Sequence, residues 1–156
     1  GFSLQNRGLG FSLDPGHPNA LAPGKRPYHT IIPALATRQD DSLFACFGVM
    51  GGFMQPQGHV QVLLGLLEDG LDPQATLDRP RVCLLAGSAE SEVGLEEGIS
   101  PETAGALQAK GHRVSILGGH DRAVFGRGQI ILREAVSAVL WGGSDPRADG
   151  CAVAVP

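Results

Sequence analysis

The sequence has no apolar stretch long enough for a transmembrane helix, no block of Lys and Arg, and no basic segment ahead of an apolar core at its start. The first absence excludes a spanning helix. The second argues against nucleic acid or an anionic membrane surface as partner, and the third against a secretory signal at this end. The chain opens Gly1-Phe2-Ser3-Leu4 without an initiator Met, so the expectation is a start inside a larger gene product. Cysteine is scarce. Cys46, Cys83 and Cys151 are odd in number, widely spaced and set among apolar residues, and they read as buried small hydrophobes rather than a disulfide framework or a zinc site. The five histidines are scattered and none forms a ligand pair, so no metal and no organic cofactor is expected. Neither an internal repeat nor a shift of composition marks a boundary, and residues 1–156 are expected to form a single domain.

What is present fits an ordinary globular protein: 156 residues, 42% hydrophobic, 18% charged, with a formal net charge of -4. Gly1 to Pro27 is rich in Gly, Pro and Asn and has no sustained period, which predicts an ordered, meandering loop anchored by Leu4, Leu9, Phe11 and Leu13. Tyr28 to Arg38 alternates as a strand interrupted at Pro33, and after the polar turn Gln39-Asp40-Asp41-Ser42 the run Leu43 to Met50 returns as the second arm of a hairpin. Pro56 suits the first turn of a helix whose Val60, Leu63, Leu64 and Leu67 fall at i, i+3, i+4 and i+7, with Gly70 as its stop. Phe53, Met54 and the Leu63-Leu64-Leu67 stripe are expected in the core. Asp72-Pro73 and Ser100-Pro101-Glu102 each open a further helix as N-cap followed by Pro at the first helical position. Short strands are expected at Arg81 to Leu85 and His112 to Leu117, a second hairpin at Gly128 to Leu132 and Ala138 to Trp141, and a strand-like tail at the end. Helices between strand pairs make this a layered α+β protein.

The stretch with most chemical promise is Gly48-Val49-Met50-Gly51-Gly52-Phe53-Met54-Gln55-Pro56, where a strand ends in Gly-Gly and passes into a helix. Such a turn leaves backbone N–H groups pointing outward, the raw material of an oxyanion hole or anion nest. Without Cβ atoms a substrate carbonyl can approach closely. The plainer reading of the same pattern is a tight strand-to-helix turn with no ligand.

Four segments together carry a resemblance: NRGLGFSLDPGHPNALAPGKRPYHTIIPAL, FGVMGGFMQPQGHVQVLLGLLEDGLDPQATLDRPR, FGRGQIILRE and GGSDPRADG. In this order they resemble the γ-glutamyltranspeptidase family, from about Leu4 to Gly150, within the later part of its small subunit. The resemblance implies an N-terminal-nucleophile hydrolase fold, an αββα sandwich that would be incomplete in this chain. It also implies a precursor that cuts itself to expose a Thr acting as nucleophile and, through its α-amino group, as base. Thr30, Thr37, Thr76 and Thr103 are all internal, so that nucleophile is expected upstream of Gly1.

The family's oxyanion hole falls, by resemblance, on Gly51 and Gly52. Its carboxylate grip, a hydroxyl pair after Lys-Arg-Pro, falls on His29 and Thr30, which stand after Lys25-Arg26-Pro27-Tyr28 in place of two serines. Asn6 and Arg7 flank the same pocket by sequence position, and Arg7 suits bidentate contact with a carboxylate. The acidic residue that holds the substrate ammonium in the family is missing, for Gly10 stands just before Phe11-Ser12 and Asp14 lies four residues on. Asp145 and Arg147 of the C-terminal motif read as a structural pair locking a turn. The leading expectation is a γ-glutamyltranspeptidase-like amide hydrolase or acyltransferase acting on γ-glutamyl compounds such as glutathione. Its partners would be a small amide substrate, a large subunit and the upstream small-subunit segment of the same precursor. Gly10 opens an alternative, a glutaryl-amide acylase of cephalosporin type, and a third reading is an inactive fragment or non-catalytic binding relative.

Overall fold

The computed structural model describes residues 4–86 and 90–154. By contacts the chain divides into two compact units, Gly1–Ile31 and Ile32–Pro156.

The first unit is loop, as its composition predicts, with one 3-10 turn at Arg7–Gly10. It is held by local bonds: Ser12 pairs with Ala20, Ser12 N–H donates to the Asn19 carbonyl at 2.9 Å, and the Asn19 amide donates to the Gly10 carbonyl at 2.6 Å. The predicted apolar anchors do not anchor it. Leu4, Leu9 and Leu13 are all more than four-fifths exposed, and only Phe11 is half-buried.

The second unit contains two sheets. Strands β1 (Ala34–Thr37) and β2 (Leu43–Met50) form the first hairpin, and β6 (Arg127–Arg133) and β7 (Leu140–Ser144) form the last; together they make an antiparallel sheet in the order β1-β2-β6-β7. Pro33 precedes β1 rather than interrupting it, so the strand is shorter than the alternation from Tyr28 implied. A three-stranded sheet, β3-β4-β5, is built from β3 (Val82–Leu84), β4 (Val93–Glu96) and β5 (Val114–Leu117). Residues 151–154 form no strand, and 155–156 lie outside the described residues.

Helix α1 (Met54–Leu67) and α2 (Pro73–Asp78) cover one face of the first sheet, and α3 (Pro101–Ala109) packs on the second. The capping signals at α2 and α3 are met: Asp72 accepts from Ala75 N–H at 2.8 Å, and Ser100 from Thr103 N–H at 3.2 Å. The pleat of β2 turns Ala45, Phe47 and Val49 onto Val62 and Leu66 of α1, Leu77 of α2 and Ile130 of β6, which is the main core. Each of the larger side chains among them contributes about 1.5–3 kcal/mol of burial.

Of the residues expected in the core here, Met54 is buried and Leu63 packs partly buried against the main core, but the rest of the stripe faces outward. Val60, Leu64 and Leu67 are about half exposed and Phe53 is 73% exposed, whereas Met54, Gly58, Val62, Gly65 and Leu66 are buried. Periodicity is the same for two overlapping stripes, and Gly58 lets α1 approach the sheet closely: a Cβ there would lie 2.6 Å from Val49 Cγ1. The outer face of the four-stranded sheet is also apolar and exposed, with Leu35, Met50, Ile131 and Leu140. Among the cysteines only Cys83 is buried; Cys46 and Cys151 are exposed, contrary to the reading of all three as core.

The two sheets are joined by a buried ion cluster. The side chains of Arg81, Glu96, Asp145 and Arg147 are each 2% exposed or less. One Asp145 oxygen takes Arg81 Nη2 at 2.7 Å and Gly128 N–H at 2.6 Å, and the other takes Arg147 Nη1 and N–H, both at 3.0 Å. Glu96 accepts Arg81 N–H at 2.8 Å, Arg122 Nε at 2.6 Å and Arg147 Nε at 2.7 Å, with Arg147 Nη2 alongside. Asp145 and Arg147 are thus the turn lock that their motif implied. Burial pushes both carboxyls up, but the neighbouring arginines outweigh it: hydrogen bonds from Arg147 and Arg122 for Glu96, the charge of Arg81 for Asp145. Both pKa values end below their ordinary ones. A depressed folded pKa gives stability that is present above the unfolded value and lost as pH falls through the folded one. The melting temperature is therefore expected to fall once pH drops below about 4, near the ordinary carboxylate range. Asp145→Asn should cost about 3–5 kcal/mol at neutral pH by leaving buried cations short of a partner and should flatten the acid limb, both readable in melts across pH.

Candidate active site

β2 delivers the chain to Gly51 with its backbone still extended, and Gly52 then turns it into α1. Gly51 has φ 144° and Gly52 φ 61°, values that side chains rarely allow. The turn is pinned from below: Met54 N–H donates to the Gly51 carbonyl and Gln55 N–H to the Gly52 carbonyl, each at 3.1 Å. With both carbonyls engaged, the Gly51 and Gly52 N–H groups have no acceptor among the described residues, and both glycines are exposed. The turn also abuts Gly126, where φ is 74° and a Cβ would lie 2.4 Å from the Met50 carbonyl oxygen. A Cβ on Gly51 would meet Gly126 Cα and Met54 Cβ at 3.1 Å, while one on Gly52 would meet nothing within 4 Å. Gly51 is therefore closed on its inner side and Gly52 open outward. Fixed, unpaired donors on an accessible turn are what stabilisation of an oxyanion requires.

The first unit brings two of the other candidates together. Arg7 lies in the 3-10 turn, and its Nη1 donates to the Thr30 hydroxyl, both side chains half-buried. Asn6 is the residue before that turn; its carbonyl accepts Leu9 N–H at 3.1 Å, while its side chain makes no capping bond and is exposed. His29 is exposed beside Thr30. Asp14 is committed elsewhere, its carboxylate accepting Gly16 N–H at 2.9 Å in an exposed turn, and Gly10 presents no side chain at all. In this unit a guanidinium and a hydroxyl thus meet at Arg7 and Thr30, while the Asp14 carboxylate is engaged in its own turn.

The sequence reading passed over Gln57 and Gln61 of α1, whose amides bond the free edge of β3, the first of them also reaching back to the Phe53 carbonyl beside the Gly-Gly turn. Their signal was the i, i+4 spacing of two amides on one helix face, next to a short strand. It also passed over β4 as a strand, and with it Glu96. Among the described helices none is long and apolar enough to cross a membrane.

Gly52→Ala separates function from folding at the turn. Its methyl enters open space at a cost of about 1–2 kcal/mol for the left-handed backbone, and relaxation of φ would swing the N–H away from the anion. In the complete protein the single-turnover acylation rate is expected to fall roughly 100- to 1,000-fold with melting nearly unchanged. Gly51→Val should lose as much or more. Ordinary single-turnover kinetics in both would remove the pair from the site.

The gamma-glutamyltranspeptidase family model matches residues 1–155. An oxamate amidohydrolase proenzyme of Klebsiella pneumoniae is 37% identical over 154 residues, covering 97% of this chain and 29% of the relative. A glutathione hydrolase-like YwrD proenzyme of Bacillus subtilis is 35% identical over 157 residues, covering 99% and 29%. The crystal structure of a cephalosporin acylase from Bacillus halodurans superposes with a TM-score of 0.79 at 49% identity, over 95% of this chain and 26% of that one. The chain thus spans less than a third of the length of each of these three relatives. Its α+β architecture is the N-terminal-nucleophile hydrolase fold, and the chain belongs to the gamma-glutamyltranspeptidase family.

Proposed function

We propose that the complete protein is an amide hydrolase or acyltransferase, and that in it this chain supplies the oxyanion hole through Gly51 and Gly52. The observation that carries the reading is the turn itself, two consecutive exposed glycines at positive φ whose N–H groups have no acceptor among the described residues and whose carbonyls are already engaged. The reaction would begin with attack by an N-terminal Thr hydroxyl, from the stretch preceding this chain, on the amide carbonyl. The hydroxyl proton passes to the Thr α-amino group and then to the departing amine. The carbonyl oxygen gathers charge between the two glycine N–H groups and collapses to an ester, which water or an acceptor amine releases. The remainder of the same precursor, a large subunit and the upstream part of the small one, would cover the outer face of the four-stranded sheet, where Leu35, Met50, Ile131 and Leu140 stand exposed.

The substrate proposed first is a γ-glutamyl compound such as glutathione, held by its carboxylate on Arg7 and Thr30, with Asn6 and His29 beside them. A second reading is favoured by Gly10 and by the commitment of Asp14 to its own turn. Without a carboxylate partner the substrate ammonium loses its grip, which suits an acyl group with a carboxylate and no ammonium, such as glutaryl. The resemblance to the Bacillus halodurans cephalosporin acylase and the Klebsiella oxamate amidohydrolase leans the same way.

Turnover of γ-glutamyl- and glutaryl-p-nitroanilide by the complete protein separates the readings. Preference for the glutaryl compound is expected if Gly10 matters, and equal or better γ-glutamyl turnover would sink that idea. Intact-mass analysis comes with it: two chains, the smaller starting at Thr, are expected, and a single uncut chain with no turnover would make this a non-catalytic relative.

Arg7→Met should raise KM far more than it lowers kcat. A charge-assisted hydrogen bond is worth about 1.5–3 kcal/mol, roughly a 10- to 100-fold loss in kcat/KM. An unchanged KM would release Arg7 from substrate binding.

A further inference from the structure

The amides of Gln57 and Gln61 replace a strand. Val82 and Leu84 are the β3 residues whose backbone groups point away from β4. Gln61 accepts Val82 N–H and donates to the Val82 carbonyl, both at 2.9 Å. Gln57 accepts Leu84 N–H at 2.8 Å and donates to the Leu84 carbonyl at 3.4 Å. Residues one helical turn apart on α1 thus meet residues two apart on β3, because a helix turn of about 5.4 Å comes close to two strand steps of about 3.3 Å each.

The two glutamines differ in one respect. Gln57 Nε2 also donates to the Phe53 carbonyl at 3.0 Å. Phe53 follows Gly52 directly and is the N-cap of α1, and no side chain caps that position. Its own ring is exposed and holds nothing in place. Gln61 instead donates at 3.0 Å to the Gln57 carbonyl, well inside the helix. The Gly51-Gly52-Phe53 turn is therefore fastened to the β3 edge through one amide. Met54 adds apolar contact beneath it, packed with Cys83 and Phe125.

We propose that Gln57 is a positioning residue for the oxyanion donors: by tying the Phe53 carbonyl to the backbone of Leu84 it fixes the direction in which the Gly51 and Gly52 N–H groups point. The proposal rests on the oxyanion reading of that turn. Gln57 touches no reacting atom. It acts through the peptide that follows Gly52, and donor direction matters steeply because a displacement near 1 Å can cost about 100-fold in rate.

Gln61 provides the internal control, since Gln61→Leu removes the same kind of edge contact one turn away and no bond to the turn. The experiment compares Gln57→Leu, Gln57→Glu, Gln61→Leu and Gly52→Ala in the complete, self-processed protein, with melting temperature, single-turnover acylation and steady-state kcat and KM on glutaryl- or γ-glutamyl-p-nitroanilide. Gln57→Glu keeps the acceptor for Leu84 N–H but as a carboxylate has nothing to donate to Phe53, so it serves should Gln57→Leu fail to fold. The expected result is a fall of about tenfold or more in acylation rate and kcat for both Gln57 variants, with KM within about twofold. Gln61→Leu should melt as low as Gln57→Leu and keep kcat. Equal kcat losses in the Gln57 and Gln61 variants would reduce Gln57 to a structural contact and overturn the proposal. So would normal kcat in the Gln57 variants beside a slow Gly52→Ala. Normal acylation in Gly52→Ala would instead overturn the oxyanion reading, whatever the Gln57 variants do.

Discussion

Arg81, Glu96, Asp145 and Arg147 have almost no contact with water, yet they carry two charges of each sign across the junction of the two sheets. The cluster supplies the polar contact there. It holds because every oxygen of both carboxylates has a donor, and because the arginines also reach backbone carbonyls of Leu77, Arg79 and Phe125. Taking charges out of water costs several kcal/mol per ion, which only such complete pairing offsets. The cluster therefore contributes geometry more than net stability: it sets how α2, β3, β4 and β7 meet.

That geometry reaches the candidate site by a short path. Arg81 Nη1 holds the Phe125 carbonyl at 3.1 Å, Gly126 follows, and Gly126 Cα lies under Gly51. From the other side Gln57 reaches Phe53. The two glycines are thus supported from both sides by groups tied to β3 or to Arg81 just before it, one through an arginine and one through an amide. A turn at positive φ in two successive residues is strained for most sequences, and here rigid neighbours over-determine it.

Much of this was legible in the residues. The β2 run of Leu43 to Met50, the caps at Asp72 and Ser100, and the Gly51-Gly52 turn each follow from a local rule, and the family motifs fixed the fold. What the sequence concealed is tertiary. Val93-Gly94-Leu95-Glu96 hides a fully buried strand because a glutamate reads as surface, and its arginine partners lie up to 51 residues away. Two apolar stripes overlap on α1, and the buried one carries glycine at 58, which lets the backbone come near Val49 of the sheet, and glycine at 65, which lets it come near Thr76 of α2. Leu4, Leu9 and Leu13 looked like anchors because apolarity says nothing about whether a surface exists to receive them. The pairing of Arg7 with Thr30 spans 23 residues and left no local trace.

The edge of β3 has one more consequence. A bare strand edge invites a further strand, from the same chain or another, and here the positions such a strand would use are filled by side-chain amides. Among the described residues, this edge is met by the two amides rather than by a further strand. Because the amides address only backbone N–H and C=O groups, the side chains at 82 and 84 are free to vary as far as this contact is concerned, and proline alone is barred by its missing N–H. The information that closes this edge therefore resides on the helix, and the strand it closes is, at those two positions, nearly silent.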